Sequence, residues 1–90
     1  MKSAKEITDP HGLKFLAAVK GVPASIVTYV LTVMTPGTNW RGCTKGHIAQ
    51  EYAYSQTPIY GRMKLASVDL DVLARRCKAR MAGDPNWRTA

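Results

Sequence analysis

The chain has 90 residues, enough for one small domain with a modest core, and 46% of them are hydrophobic, which excludes a disordered polypeptide. Thirteen lysines and arginines stand against six acids, a net charge of +7 that favours a polyanionic partner, nucleic acid first and an acidic membrane surface or acidic protein second. The excess is concentrated: residues 40–81 hold eight basic side chains and three acidic ones.

Residues 1–8 read as a polar lead-in. Asp9-Pro10 is a helix-start signal, with Asp9 as cap and Pro10 at the first helical position. Leu13, Leu16 and Ala17 continue a short helix, Phe15 and Val19 add apolar surface, and Gly21 is a natural stop. Pro23 opens the next segment. There Ile26, Val27, Val30, Leu31 and Met34 recur at helical steps, and this spacing outweighs the β-propensity of the β-branched residues. The same run is interrupted by Thr28, Tyr29 and Thr32 and is too short to span a bilayer. Residues 35–42 are loop by composition. A third helix is expected from Thr44 to Ala53, and a fourth from Gln56 to Ala66 with Ser55 as its cap. Ser67 is the expected cap of a fifth, Val68 to Met81. Asp69 and Asp71 fall in its first turn and its cations later, matching the helix dipole. Leu70, Leu73, Cys77 and Met81 form one apolar stripe along it. Residues 83–86 end the helix, and 83–90 form a tail whose Trp87 packs back on the core or on a partner. The expectation is an all-α fold: a compact four- to five-helix domain over residues 9–82.

The stretch 44–66 carries the functional signal. Ile48, Ala49 and Tyr52 share one face of the third helix, small Ala53 stands at the turn, and Ile59 and Met63, four apart, face back onto the first helix of the pair. Gln56, Thr57, Tyr60, Gly61 and Lys64 are left pointing outward. This pattern, with Thr44 just upstream, resembles the helix-turn-helix of the winged-helix-like superfamily of DNA-binding domains. Ala53 replaces the usual glycine of the turn, and Pro58 falls in the first turn of the second helix, where a missing amide costs little. No strand-turn-strand pattern follows Leu65, so no clear wing is expected. A looser likeness reaches back to residue 22, as in small phage- and plasmid-type replication and regulatory modules.

The resemblance implies double-stranded DNA as partner. Gln56, Thr57 and Tyr60 would meet base edges, a glutamine amide suiting adenine and a threonine methyl suiting thymine. Arg41, Lys45, His47, Ser55, Arg62 and Lys64 would meet the backbone, helped by the amino end of the third helix. Arg75, Arg76, Lys78 and Arg80 have two readings. They are a further backbone clamp, or the wet side of a helix whose apolar stripe makes a homodimer or closes the monomer's core.

Other chemistry finds little support. Cys43 and His47 are four apart, but Cys77 and His11 would have to complete any metal site, without the paired short spacings that zinc requires. No nucleophile signature appears, and Gly37 and Gly42 are too sparse for a phosphate loop. No metal, cofactor or enzymatic activity is expected. Two distant cysteines and the lack of an apolar leader predict free thiols in a reducing cytoplasm, at the nucleoid if DNA is the partner. The expected function is sequence-specific duplex DNA binding, by a transcriptional regulator or the site-binding component of a mobile element. One alternative is a protein-interaction module, with Met34, Trp40, Tyr54 and Trp87 lining its surface, and another is RNA or ribosome binding, which calls for exposed aromatics that stack on bases.

Overall fold

A computed structural model describes residues 9–57 and 64–90. The fold is all-α: α1 (Pro10–Ala18), α2 (Ala24–Met34), α3 (Lys45–Ser55) and α4 (Leu70–Met81), with 3-10 turns at Lys64–Ser67 and Trp87–Thr89 and no strand among the described residues. α1 packs mainly against α3, and α2 against α4. No helix among the described residues is long and apolar enough to cross a membrane.

α1 begins where Asp9 caps it. The carboxylate accepts from the amides of His11 (2.8 Å) and Gly12 (3.4 Å), and Pro10 occupies the first turn, where its missing donor is not needed. Phe15 and Val19 are fully buried. Gly21 then takes a positive φ of 81°, which a side chain would oppose. α2 is a helix despite its β-branched residues, because Val27, Val30 and Leu31 all reach the core only at helical spacing. Ring contact between Phe15 and Tyr52, with centroids 5.7 Å apart, joins α1 to α3. Ile48 and Ala49 are fully buried beside Tyr52, so the apolar face expected of α3 is its core face.

The segment after α3 departs from expectation. Ser55 does not cap a following helix. It lies in the last turn of α3, 1% exposed, and donates to the Tyr52 carbonyl at 2.6 Å. Gln56 caps the end of α3, its amide donating to the Ala53 carbonyl (3.2 Å), and the Thr57 hydroxyl donates to the Tyr54 carbonyl (2.8 Å). The helix therefore runs two residues past Ala53, because Tyr54 and Ser55 continue its hydrogen bonding and nothing at Ala53 breaks it. Pro58, Ile59, Tyr60, Gly61, Arg62 and Met63, the body of the expected second helix of the pair, lie outside the described residues. Where description resumes, Lys64–Ser67 is a 3-10 turn that buries Leu65, not the end of an α-helix.

α4 starts two residues later than expected, and its cap is Asp69, not Ser67. The Asp69 carboxylate accepts from Asp71 N (2.9 Å) and Val72 N (3.3 Å), and a charged acceptor is the stronger partner for the positive end of a helix. Leu73 and Cys77 are fully buried, Leu70 is half-buried, and Met81 is 48% exposed. The helix closes with Gly83 at φ 76°: Gly83 N donates to Arg80 O (3.1 Å) and Asp84 N to Ala79 O (3.0 Å). That pair of bonds is a Schellman motif. Asp84 then turns the chain by accepting from Asn86 N (2.8 Å), and Trp87 arrives in the core at 5% exposure.

Candidate nucleic-acid interface

A ladder of threonines on α2 positions the loop that precedes α3. The Thr32 hydroxyl donates to Thr28 O (2.8 Å) and accepts from the amide of Trp40 (3.1 Å). One turn on, the Thr35 hydroxyl donates to Leu31 O (2.7 Å) and accepts from the Trp40 indole (3.0 Å). Both donors of Trp40 are thus satisfied as it is buried, which removes the penalty its polar atoms would otherwise carry. The loop is held beside α2, with Gly37 and Gly42 at positive φ where it turns.

Between α2 and this loop lies an open groove of about 1160 Å³. One wall is the polar edge of α2, including Thr28, Tyr29 and Thr32, and the other runs along residues 37–45. Arg41 and Lys45 are its charged groups, and no carboxylate among the described residues lines it. Arg41 is exposed, on a turn that Asn39 holds by accepting the Arg41 amide (3.0 Å). Lys45 is half-buried, and its ammonium donates to Val19 O at the end of α1 (3.2 Å), where a cation meets the negative end of the helix. Thr44 caps α3 at the end of this wall by accepting from His47 N (3.0 Å), and the His47 side chain is exposed. The first amides of a helix have no partner within it, and the Thr44 hydroxyl satisfies one of them at the start of α3.

A second basic cluster adjoins it through Tyr29. The Tyr29 ring stacks at a tilt on Trp87 (centroids 5.6 Å apart) and lies under the Arg80 guanidinium (5.0 Å). Arg88 covers Trp87 (4.4 Å) and donates to the Tyr29 hydroxyl (3.3 Å). Such cation–π pairs contribute about 0.5–2 kcal/mol each, depending on how dry they are. The Nε atoms of Arg76 and Arg80, one helical turn apart, are buried without a hydrogen-bond partner among the described residues.

The expected site residues separate accordingly. Arg41, Lys45 and His47 cluster at the amino end of α3. Ser55, expected at the DNA backbone, is in the core with its hydroxyl engaged, because it belongs to α3 rather than to a new helix. Gln56 is half-buried and folds inward, its amide donating to Ser55 Oγ (3.2 Å) and Ala66 O (3.5 Å). Thr57 is half-buried at the carboxyl end of α3. Tyr60 and Arg62 lie outside the described residues, and Lys64 opens the 3-10 turn. In the basic run of α4, Arg75 and Lys78 are exposed, whereas Arg76 and Arg80 lie half-buried along the protein.

The apolar stripe of α4 closes the monomer's own core, so a two-fold contact through that stripe has little beyond Met81 to offer. The aromatic patch of the protein-interaction reading is also dispersed. Trp40 and Trp87 are buried, Met34 is half-buried, and of the four only Tyr54 is exposed. Sequence reasoning missed the Tyr29–Trp87–Arg88 cluster. Its signal was the position of Tyr29, off the apolar stripe of α2 and hence free to meet a returning tail.

Burial pushes the Cys77 thiol up to about 11, which keeps it protonated and unreactive at neutral pH. Burial, and then the charge of Asp69, raises the Tyr52 phenol above its ordinary value. No group of three metal-ligating side chains occurs among the described residues. No family model, curated protein or solved structure matches this chain.

Proposed function

We propose that this protein binds double-stranded DNA through the α3 region, with the amino end of α3 on the phosphate backbone and residues 56–64 toward the major groove. The observation that carries the reading is the placement of Arg41 and Lys45 along the groove wall that leads into the capped amino end of α3, with no carboxylate among the described residues lining it, in a chain of net charge +7. Cations so placed supply affinity that is independent of sequence, through release of counterions from the duplex. Selectivity falls to Thr57, Tyr60 and their neighbours, with Gln56 able to contribute only after leaving its bonds to Ser55 and Ala66. A role in regulation, or at a recognition site of a mobile element, follows the helix-turn-helix likeness of residues 44–66. A homodimer on DNA would have to meet through a surface other than the buried stripe of α4.

The reading is tested with Arg41→Ala and Lys64→Ala in duplex titrations over a range of salt. Each variant should keep the wild-type melting behaviour and reduce the slope of log affinity against log salt by about one. Slopes equal to the wild type in both variants would remove these side chains from the contact set and refute the placement.

A further inference from the structure

We infer that the groove between α2 and residues 37–45 binds an unpaired nucleic-acid strand, with a base stacked on Tyr29 and phosphates held by Arg41 and Arg88. The duplex surface proposed above centres on α3 and the residues after it. The groove shares Arg41 and Lys45 with that surface, whereas Tyr29 and Arg88 belong to the groove alone, and the inference stands whether or not duplex DNA binds.

Three independent observations converge on that ligand. The first is shape: the groove, of about 1160 Å³, is an open trough rather than a closed cavity. A linear polymer fits such a trough better than a compact metabolite does. The second is charge. Arg41 and Lys45 line it, Arg88 reaches Tyr29 at its edge, and no described carboxylate faces in to oppose a polyanion. The third is an exposed aromatic side chain on the groove. Tyr29 is 43% exposed, lines the groove, and is braced by Trp87, Arg80 and Arg88. A braced ring loses little freedom when a base stacks on it, and every base offers a π-face whatever the sequence.

Positively charged troughs with stacking platforms are how single strands are held without sequence preference. A duplex, whose bases are already stacked on each other, has no free face to give Tyr29. That difference separates this groove from the α3 surface.

The test uses the full chain and two fluorescein-labelled homopolymers, ten-residue oligothymidylate and ten-residue oligouridylate, followed by anisotropy. Wild-type protein should bind at least one of them in low salt. Binding of the first alone would assign the groove to DNA, and comparable binding of both to either nucleic acid. Tyr29→Leu removes the π-face while keeping bulk, and Arg88→Gln removes the cation. Each should weaken strand binding by about fivefold or more, as loss of one stacking or phosphate contact does. Tyr29→Phe keeps the ring and should stay within about twofold of the wild type, a control for loss of the hydroxyl or of stability. Duplex binding, measured in parallel, should be unchanged by Tyr29→Leu and Arg88→Gln. Absence of strand binding by the wild type, or binding insensitive to both variants with melting curves preserved, would overturn the inference. Strand binding without duplex binding would instead leave this groove standing and remove the function proposed for α3.

Discussion

Two tryptophans close this small fold, and they do so by different physics. Trp40 fastens the loop before α3, and Trp87 fastens the segment after α4. Each is nearly buried, at 8% and 5% exposure. Trp40 is held by neutral hydrogen bonds from two threonines of α2, which satisfy its amide and its indole. Trp87 is held by the Tyr29 ring and by the guanidinium groups of Arg80 and Arg88. The first anchor is saturated: its polar groups have found their partners within the protein. The second keeps cations at the surface, with more donors than the protein uses. α2 serves both: its Thr32 helps to hold Trp40, its Tyr29 packs on Trp87, and both residues line the groove.

The contrast is broken most strongly by removing either ring. Trp40→Ala should lower unfolding free energy by about 3–5 kcal/mol, since it opens a cavity and leaves the Thr35 hydroxyl without its donor. Urea denaturation followed by far-UV circular dichroism measures this, and a loss under 1 kcal/mol would deny the loop its structural role. Trp87→Ala should cost a similar amount, with one added mark: amides of residues 83–90 should lose hydrogen-exchange protection before those of α1 and α3. Thr35→Val sharpens the comparison at a smaller scale. It keeps the shape but orphans the buried Trp40 indole, and should cost about 1–3 kcal/mol. The corresponding loss at Trp87 has no such orphan.

Two smaller effects concern α4. Asp69→Ala should destabilise by about 1 kcal/mol, whereas Ser67→Ala should be nearly neutral, because the carboxylate and not the hydroxyl caps the helix. Reversal of that order in thermal melts would contradict the assigned helix start. The raised value of Cys77 predicts a pH dependence with a definite sign. Below its ordinary value of about 8.5 the thiol is protonated in both folded and unfolded chains and favours neither. As pH rises toward about 11 the unfolded chain loses this proton first, so stability is lost over that window. Cys77→Ala should remove this part of the alkaline decline, and identical pH profiles for the two proteins would show that the thiol is not buried in the way described.

Much of the fold was legible in the sequence because its signals were local. Asp9-Pro10, the helical spacing in α2 and the dipole-matched charges of α4 each act within a turn or two of chain. The apolar face of α3 was legible for the same reason. What could not be read depends on competition between neighbours or on contacts far along the chain. Ser55 and Ser67 looked like caps, but Ser55 was drawn into a continuing helix, and Asp69 offered a stronger acceptor than Ser67. Gln56 looked solvent-facing because its partner Ala66 lies ten residues on. The cluster around Tyr29 joins residues 59 positions apart, a separation at which no periodicity gives warning. Of the candidate site, the basic amino end of α3 was legible from charge and spacing, whereas the groove was not, since it exists only once Trp40 is pinned to α2.

The most direct test of the central claim is an anisotropy titration of a labelled random-sequence duplex with wild-type protein at several salt concentrations. The account predicts binding in low salt that weakens steeply and linearly on logarithmic axes as several phosphate contacts are lost. No duplex binding even in low salt, or binding indifferent to salt, would contradict it.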